Sequence, residues 1–479
     1  MTTLVFVHGW SVSNTSTYGQ LPQQLQQQAA AAGLPLTLAD VWISEYVSFD
    51  DAVTMRDLVR ALDHALRDLH LLDANFACIT HSTGGPVVRE WLRAQRDKPA
   101  LYTAMRLSHL VMLAPANFGS ALAQLGKGML GRLKSWFAGI EPGQRILDWL
   151  ELGSAESLAL NLDHIHSEDP VTRGQFPFVL IGDRPDRSLY DHLNSYTGED
   201  GSDGVVRLAA ANLNARHAVL SPQLNTPGNI DTLALNLSRG PRCAFKLIAD
   251  TAHSGADHGI MASAAPATVQ SILRCLAVRS ASDYATLCDA YDAENAQRDA
   301  NKVELEPAGP FAPRIHIHDP RSMLIVRLTD EAGEPLTGAG FLLNAGSEAS
   351  PDLMPAGFML DRQANSRQRT TISLFLNHTV LAGDGRVPDP RQGRKTLRGA
   401  MTSHGSYSAS VIPADLAGLV NHALARSAIS DDLIQALGPH QTTVLDVVLP
   451  RKVHEGVFRL TRNLAPKDFS KPDPGTVIS

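Results

Sequence analysis

Ser82 lies in the stretch FACITHSTGGPVVRE, which runs from Phe76 to Glu90. Its neighbours are His81 and Thr83, and Gly84 and Gly85 follow. The apolar run at residues 76–79 predicts a buried strand, and Pro86, Val87, Val88 and Trp91 open a helical pattern. Strand, tight turn and helix together would present one hydroxyl on a strained backbone. Only small residues beside such a turn avoid collision with the flanking strand and helix. The helix N-terminus then aims unbonded N–H groups at the place where an oxyanion would form. The surroundings are those of a nucleophilic serine in the G-x-S-x-G style, with Thr80 at the position of the first glycine.

A serine hydroxyl is a weak nucleophile at neutral pH. It needs a neutral imidazole to take its proton, and a carboxylate to orient that imidazole. It also needs donors for the developing oxyanion. Residues 4–7 (LVFV) predict a second buried strand, and His8-Gly9-Trp10 follows directly. Gly9 allows the turn that would face the Trp10 N–H toward the pocket, opposite the N–H of Thr83.

Over residues 1–280 the chain resembles the lipase and esterase branch of the α/β-hydrolase superfamily. The matching strings are VFVHGW, ITHSTGG, LAPANFGS (Leu113 to Ser120), GSDGVV (Gly201 to Val206) and DHGIM (Asp257 to Met261). The resemblance implies an α/β-hydrolase fold and an acid within an [NS]-D-G-[VLI]-V string, which falls on Asp203. Asp183, Asp186 and Asp200 remain alternatives, because aspartate also favours ordinary loop turns. The histidine is expected in a late loop before the closing helix at residues 266–276. His258, followed by Gly259, Ile260 and Met261, matches that pattern, and His253 is the alternative. The order Ser82, Asp203, His258 agrees with that of the superfamily. The implied substrate is a lipid-like ester, cleaved through an acyl-enzyme by a lipase or phospholipase. An acyltransferase using the same residues, or a non-catalytic binding protein on this fold, are the other readings.

Residues 121–160 form an insert punctuated by glycines. Leu133, Trp136 and Phe137 fall on one side of a helical pattern, and Trp149 lies farther on. This segment is expected to form a lid or the wall of an acyl pocket.

At 479 residues the chain exceeds one hydrophobic core. We read residues 1–288 as the catalytic domain, 289–313 as a linker, and 314–479 as a mainly-β, sandwich-like accessory domain of short strands. A net charge of −7 gives no footprint for nucleic acid. No apolar run reaches the ~20 residues of a membrane-spanning helix, so membrane contact is expected to be transient and superficial. The N-terminus shows no basic region ahead of an apolar one, so the expected location is the cytoplasm, or outside by a route without a cleavable signal. The four cysteines are scattered and suggest no disulfide framework. His164 with His166, and His316 with His318, form H-x-H pairs without a third ligand at useful spacing. No metal and no cofactor is expected, and the sequence leaves the oligomeric state open.

Overall fold

The computed structural model describes residues 2–8, 18–45, 50–72, 75–96, 98, 106–126, 143–184, 199–223, 231–255, 258–261, 266–308, 311–383, 385–393, 395–399, 406–414 and 420–453. The first half begins with β1 (Thr2–His8), α1 (Leu21–Ala31), β2 (Leu36–Trp42), α2 (Met55–Asp68), β3 (Phe76–His81) and α3 (Gly84–Arg96). It continues with β4 (Leu107–Leu113), α4 (Leu122–Gly126), α5 (Gln144–Leu150), α6 (Ala155–His166) and β5 (Phe176–Gly182). After α7 (Leu208–Ala211) come β6 (Arg216–Pro222), β7 (Asp231–Arg239), β8 (Ala244–Ile248), α8 (Pro266–Ala277) and α9 (Ala281–Ala300).

Six of these strands form a parallel sheet in the order β2-β1-β3-β4-β5-β8. Covered on both faces, its central strands are continuously apolar: Phe76 to Thr80 of β3 are all buried. The helices are written by their apolar spacing. In α2, Met55, Leu58, Ala61, Leu62, Ala65 and Leu66 make one buried stripe, and Thr54 and Asp57 form a capping box at its start. The Trp91 indole N–H donates to Asp63 at 3.0 Å and ties α3 to α2. This is the α/β-hydrolase core that the motifs imply.

The second half holds β9 (Val303–Ala308), β10 (Phe311–Ile317), β11 (Arg321–Asp330), β12 (Gly340–Ala345), β13 (Met359–Ala364), β14 (Thr371–Asn377) and α10 (His378–Ala382). Then follow the small ribbon β15 (Val387–Pro388) and β16 (Thr396–Arg398), β17 (Tyr407–Ile412), β18 (Val420–Asn421), β19 (Ala425–Ser427), α11 (Asp432–Ala436), β20 (Thr442–Leu449) and β21 (Lys452–Val453). Nine strands join in one mixed sheet, ordered β12-β17-β19-β7-β6-β20-β11-β14-β13. Two central strands, β6 and β7, come from the first half. The chain leaves the parallel sheet after β5, crosses into the second sheet, and returns as β8.

The two halves are therefore interleaved, and residue 288 is no seam. Residues 289–313, read from sequence as a linker, hold the end of α9 and most of a β-hairpin, β9 with β10. The Ser280 hydroxyl caps α9 by accepting from the Asp283 N–H, and Tyr284, Leu287, Cys288 and Tyr291 bury one side of it. That burial carries the helix through the polar stretch that looked like a domain boundary. Period-two alternation sets the faces of the mixed sheet. Met323, Ile325 and Val444 pack on the hydrolase core, while Leu324, Val326 and Leu445 build a second core on the far side.

Buried ionic contacts stitch the second half together. Asp319, just ahead of β11, accepts from Arg398 at 2.5 and 2.8 Å and from the Asn377 amide at 3.0 Å. Burial works against the charged form, but these donors outweigh it and hold the Asp319 carboxyl down at about 2. A carboxyl depressed in the folded state stabilises fully above its unfolded value near 3.8 and loses that contribution as pH falls through about 2. The contribution at neutral pH is about 2 kcal/mol. Urea midpoints measured from pH 5 to pH 2 should therefore fall more steeply for the wild type than for Asp319→Asn. Parallel curves would refute the assignment.

Candidate active site

β3 delivers Ser82 at its C-terminal end, and α3 begins two residues later. Ser82 has φ 52°, in the left-handed region that a residue with a Cβ adopts only under constraint. Three contacts impose it: the Ser82 N–H donates to the Leu113 carbonyl at 3.0 Å, and the Ser82 carbonyl accepts from Gly85 and Ala116. The small residues have a steric reason. A Cβ on Gly85 would lie 2.9 Å from Cβ of Pro115, and one on Gly84 would lie 3.4 Å from Cβ of Thr80. Thr80 is thus accommodated in place of the usual glycine because its partner across the turn is itself a glycine.

The loop after β8 brings His253 to Ser82. His253 Nε2 is 3.1 Å from Ser82 Oγ, and His253 Nδ1 is 2.8 Å from Asp203 Oδ2. His253 is 2% exposed and Asp203 1%, whereas Ser82 keeps partial access to solvent. The second oxygen of Asp203 accepts from the N–H groups of Val205 (3.0 Å) and Val206 (2.8 Å). The His253 N–H donates to the Asp203 carbonyl at 3.0 Å, so backbone as well as side chains join the two loops. The carboxylate is fixed, and the imidazole Nδ1–H is fixed by it. Nε2 is left to face the serine.

The histidine in contact with Ser82 is His253, not His258. Ala252 lies against residues 258–260: Ala252 N–H donates to the His258 carbonyl at 2.8 Å, and Ile260 N–H to the Ala252 carbonyl at 2.9 Å. This pinch turns His253 inward and leaves the His258 side chain exposed. The apolar run Ile260-Met261, which drew attention to His258, is buried as the staple of that loop. Asp183 is also placed elsewhere. It pairs with Arg298 and accepts from the Asp250 N–H at 3.0 Å. Asp200 pairs with His318 at 3.3 Å, and Asp186 lies outside the described residues.

Gly182, at the end of β5, determines how closely the His253 loop can approach. A Cβ there would sit 1.9 Å from the Thr251 carbonyl oxygen, a backbone atom with nowhere to go. Gly182→Ala is expected to cost about 3 kcal/mol of stability and to lower activity further by displacing His253. A thermal melt checks the first and kcat the second. A wild-type melting temperature would show that the loop yields freely.

His81 is a neighbour that motif reading did not single out. Its Nε2 lies 3.0 Å from the His253 carbonyl, and the two rings stack at a tilt with centroids 4.6 Å apart. A carbonyl can only accept, so His81 Nε2 carries the hydrogen. Burial, reinforced by the nearby His253, holds the His81 imidazole well below its ordinary range, and the ring is neutral at pH 7. No pattern of spacing would have revealed this contact, since the two residues are 172 positions apart from carbonyl to ring.

Thr83 is buried at the start of α3, and its N–H donates to no described residue. Trp10, the expected second donor, lies outside the described residues, as do Leu133, Trp136 and Phe137 of the insert. Trp149 is described and is a core residue: it is 3% exposed on α5, packed with Ile146, Leu147 and Leu150. That helix is fixed against the second half, where Glu151 accepts from the N–H and hydroxyl of Ser366 at 2.6 Å each. This part of the insert is packed into the protein core. The rings of His316 and His318 stay side by side, with centroids 6.4 Å apart, and each H-x-H pair has a partner elsewhere. His166 contacts His217 at 2.8 Å, and His318 contacts Glu304 at 2.8 Å. Among the described residues no three His, Cys, Asp or Glu side chains converge as a metal site.

A strained serine, an imidazole bridging it to a buried carboxylate, and an N–H at a helix start that donates to no described residue are the parts that acyl transfer requires. No protein-family model and no curated sequence matches the chain. Solved structures do. Phospholipase PlaB from Legionella pneumophila is 38% identical, with 100% of both chains covered and a TM-score of 0.84. The same phospholipase in complex with thio-NAD gives 37% identity, 100% of both chains and a TM-score of 0.82.

Proposed function

Because the chain belongs to the family of phospholipase PlaB, within the α/β-hydrolases, we propose that it hydrolyses acyl esters of phospholipids through Ser82, His253 and Asp203. The enzyme is a serine ester hydrolase with a lipid substrate. The observation that carries the finer reading is His253, within hydrogen-bond reach of Ser82 through one ring nitrogen and of Asp203 through the other.

The steps follow from this geometry. Ser82 Oγ attacks the ester carbonyl carbon while its proton passes to His253 Nε2. Asp203 holds the tautomer and stabilises the imidazolium without itself becoming protonated. The carbonyl oxygen becomes an oxyanion facing the Thr83 N–H, with the Trp10 N–H as the second donor. Each such donor contributes roughly 3–4 kcal/mol in comparable sites. Collapse of the tetrahedral adduct breaks the ester bond, and His253 returns the proton to the departing lyso-lipid alcohol. Water, deprotonated by the same imidazole, then attacks the acyl-Ser82 ester. Fatty acid leaves and the serine is restored. Leu133, Trp136 and Phe137 are assigned to the acyl-chain wall, where an apolar surface would hold the hydrocarbon.

Product analysis on phosphatidylcholine vesicles tests the reading. Free fatty acid and lysophosphatidylcholine are expected, at a higher rate than fatty acid from a triacylglycerol emulsion. Release of phosphocholine would contradict acyl-ester cleavage. Accumulation of acylated alcohol, when a simple alcohol is added, with little free fatty acid would assign the enzyme to acyl transfer instead.

A further inference from the structure

We propose that Arg207 and Asp361 are positioning residues for the Asp203 carboxylate, through which the nine-stranded sheet holds the acid of the active site in place. The proposal rests on the triad reading above. Arg207 is 1% exposed. Its Nε and Nη2 donate to the two carboxylate oxygens of Glu199 at 2.9 and 3.0 Å, and Nη2 also donates to Asp361 Oδ2 at 2.5 Å. The guanidinium lies over the Phe375 ring, 4.2 Å from its centre. Glu199 stands four residues before Asp203 and Arg207 four residues after it. The forked pair thus closes the base of the loop that carries the acid. Within the loop, Leu208 N–H donates to the Gly201 carbonyl at 2.9 Å and Asp203 N–H to the Val206 carbonyl at 3.2 Å.

The anchor for this closed loop comes from the other half of the chain. Asp361 is on β13 and Phe375 on β14. The loop backbone lies directly against that sheet: a Cβ on Gly201 would be 2.6 Å from Arg321 Cγ and 3.3 Å from the Phe375 ring, and Gly201 has φ 82°. A planar guanidinium can grip two carboxylates and stack on a ring at once, which an ammonium cannot. The arrangement fixes the acid loop to a sheet otherwise remote from the chemistry. A pocket of tenths of an ångström tolerance depends on such support.

A buried ion cluster can also be purely structural, and the test must separate the two roles. Asp361→Asn removes the anchor charge with little change in volume. If the anchor acts through Asp203, kcat should fall about 10–50-fold with KM within about 2-fold. In the Asp203→Asn background, read on an activated short-chain ester at high enzyme concentration, the same change should cost no more than about 2-fold, because residues acting as a unit are non-additive. Arg207→Lys should retain more of kcat than Arg207→Met. Circular dichroism and thermal melts on each variant establish the folded fraction. An equal fold loss in both backgrounds, or a loss that tracks the folded fraction, overturns the proposal while leaving the triad intact. Wild-type turnover by Asp203→Asn alone would instead overturn the triad reading, and this proposal with it.

Discussion

Replacing Ser82 with alanine is expected to lower kcat for ester hydrolysis by ~10⁴–10⁶, with the melting temperature unchanged within ~2 °C. The hydroxyl is the attacking group, and no other described side chain stands in its position between His253 and the start of α3. What survives should be the small rate that donors and binding supply without a nucleophile. The strained backbone adds a second expected result. At φ 52° a side chain costs free energy that glycine does not. Ser82→Gly should therefore be as inactive as Ser82→Ala yet melt at a higher temperature. An active Ser82→Ala enzyme would remove the basis of the mechanism.

Replacing His253 with alanine should have an effect of the same order, ~10⁴–10⁶ in kcat, while His258→Ala should stay within about 2-fold of wild type. The two histidines are five residues apart in the same loop, so the pair of variants controls for disturbance of the loop itself. His253 is buried between Ser82 and Asp203, and His258 is exposed and contributes its carbonyl to the turn. The reverse outcome would mean that the loop rearranges before catalysis. The double variant Ser82→Ala with His253→Ala should be no slower than either alone within about 10-fold, because the residues work as one unit.

Much of the site was legible because local sequence fixes it. An apolar strand run, a serine and two glycines predict the turn at Ser82, and the structure shows why Gly85 is needed, since a Cβ there would lie 2.9 Å from Cβ of Pro115. Asp203 came from the resemblance, through the [NS]-D-G-[VLI]-V string, and not from local spacing, which left Asp183, Asp186 and Asp200 open; in the structure Gly201 and Gly204 both adopt positive φ around it. His253 was harder. Its signal, AHSG after β8, is short, and the flanking Ile260-Met261 lent weight to His258. Only the hydrogen bonds that hold Ala252 against residues 258–260 decide which imidazole faces inward. The interleaving of the two sheets was not legible at all. β6 and β7 lie within the stretch read as the catalytic domain, and nothing local in them states that their partners are β20 and β19, some 200 residues later. Likewise the buried face of α9 is spread over 20 residues with weak periodicity, so its polar end passed for a linker.

The most direct measurement is labelling by a fluorophosphonate, followed by peptide mapping of the adduct. The mechanism requires one phosphonyl group per chain, on Ser82, formed at a rate that collapses in His253→Ala and in Asp203→Asn and is unchanged in His258→Ala. An adduct on a different serine, or a Ser82 adduct that forms at the wild-type rate without His253, would contradict it.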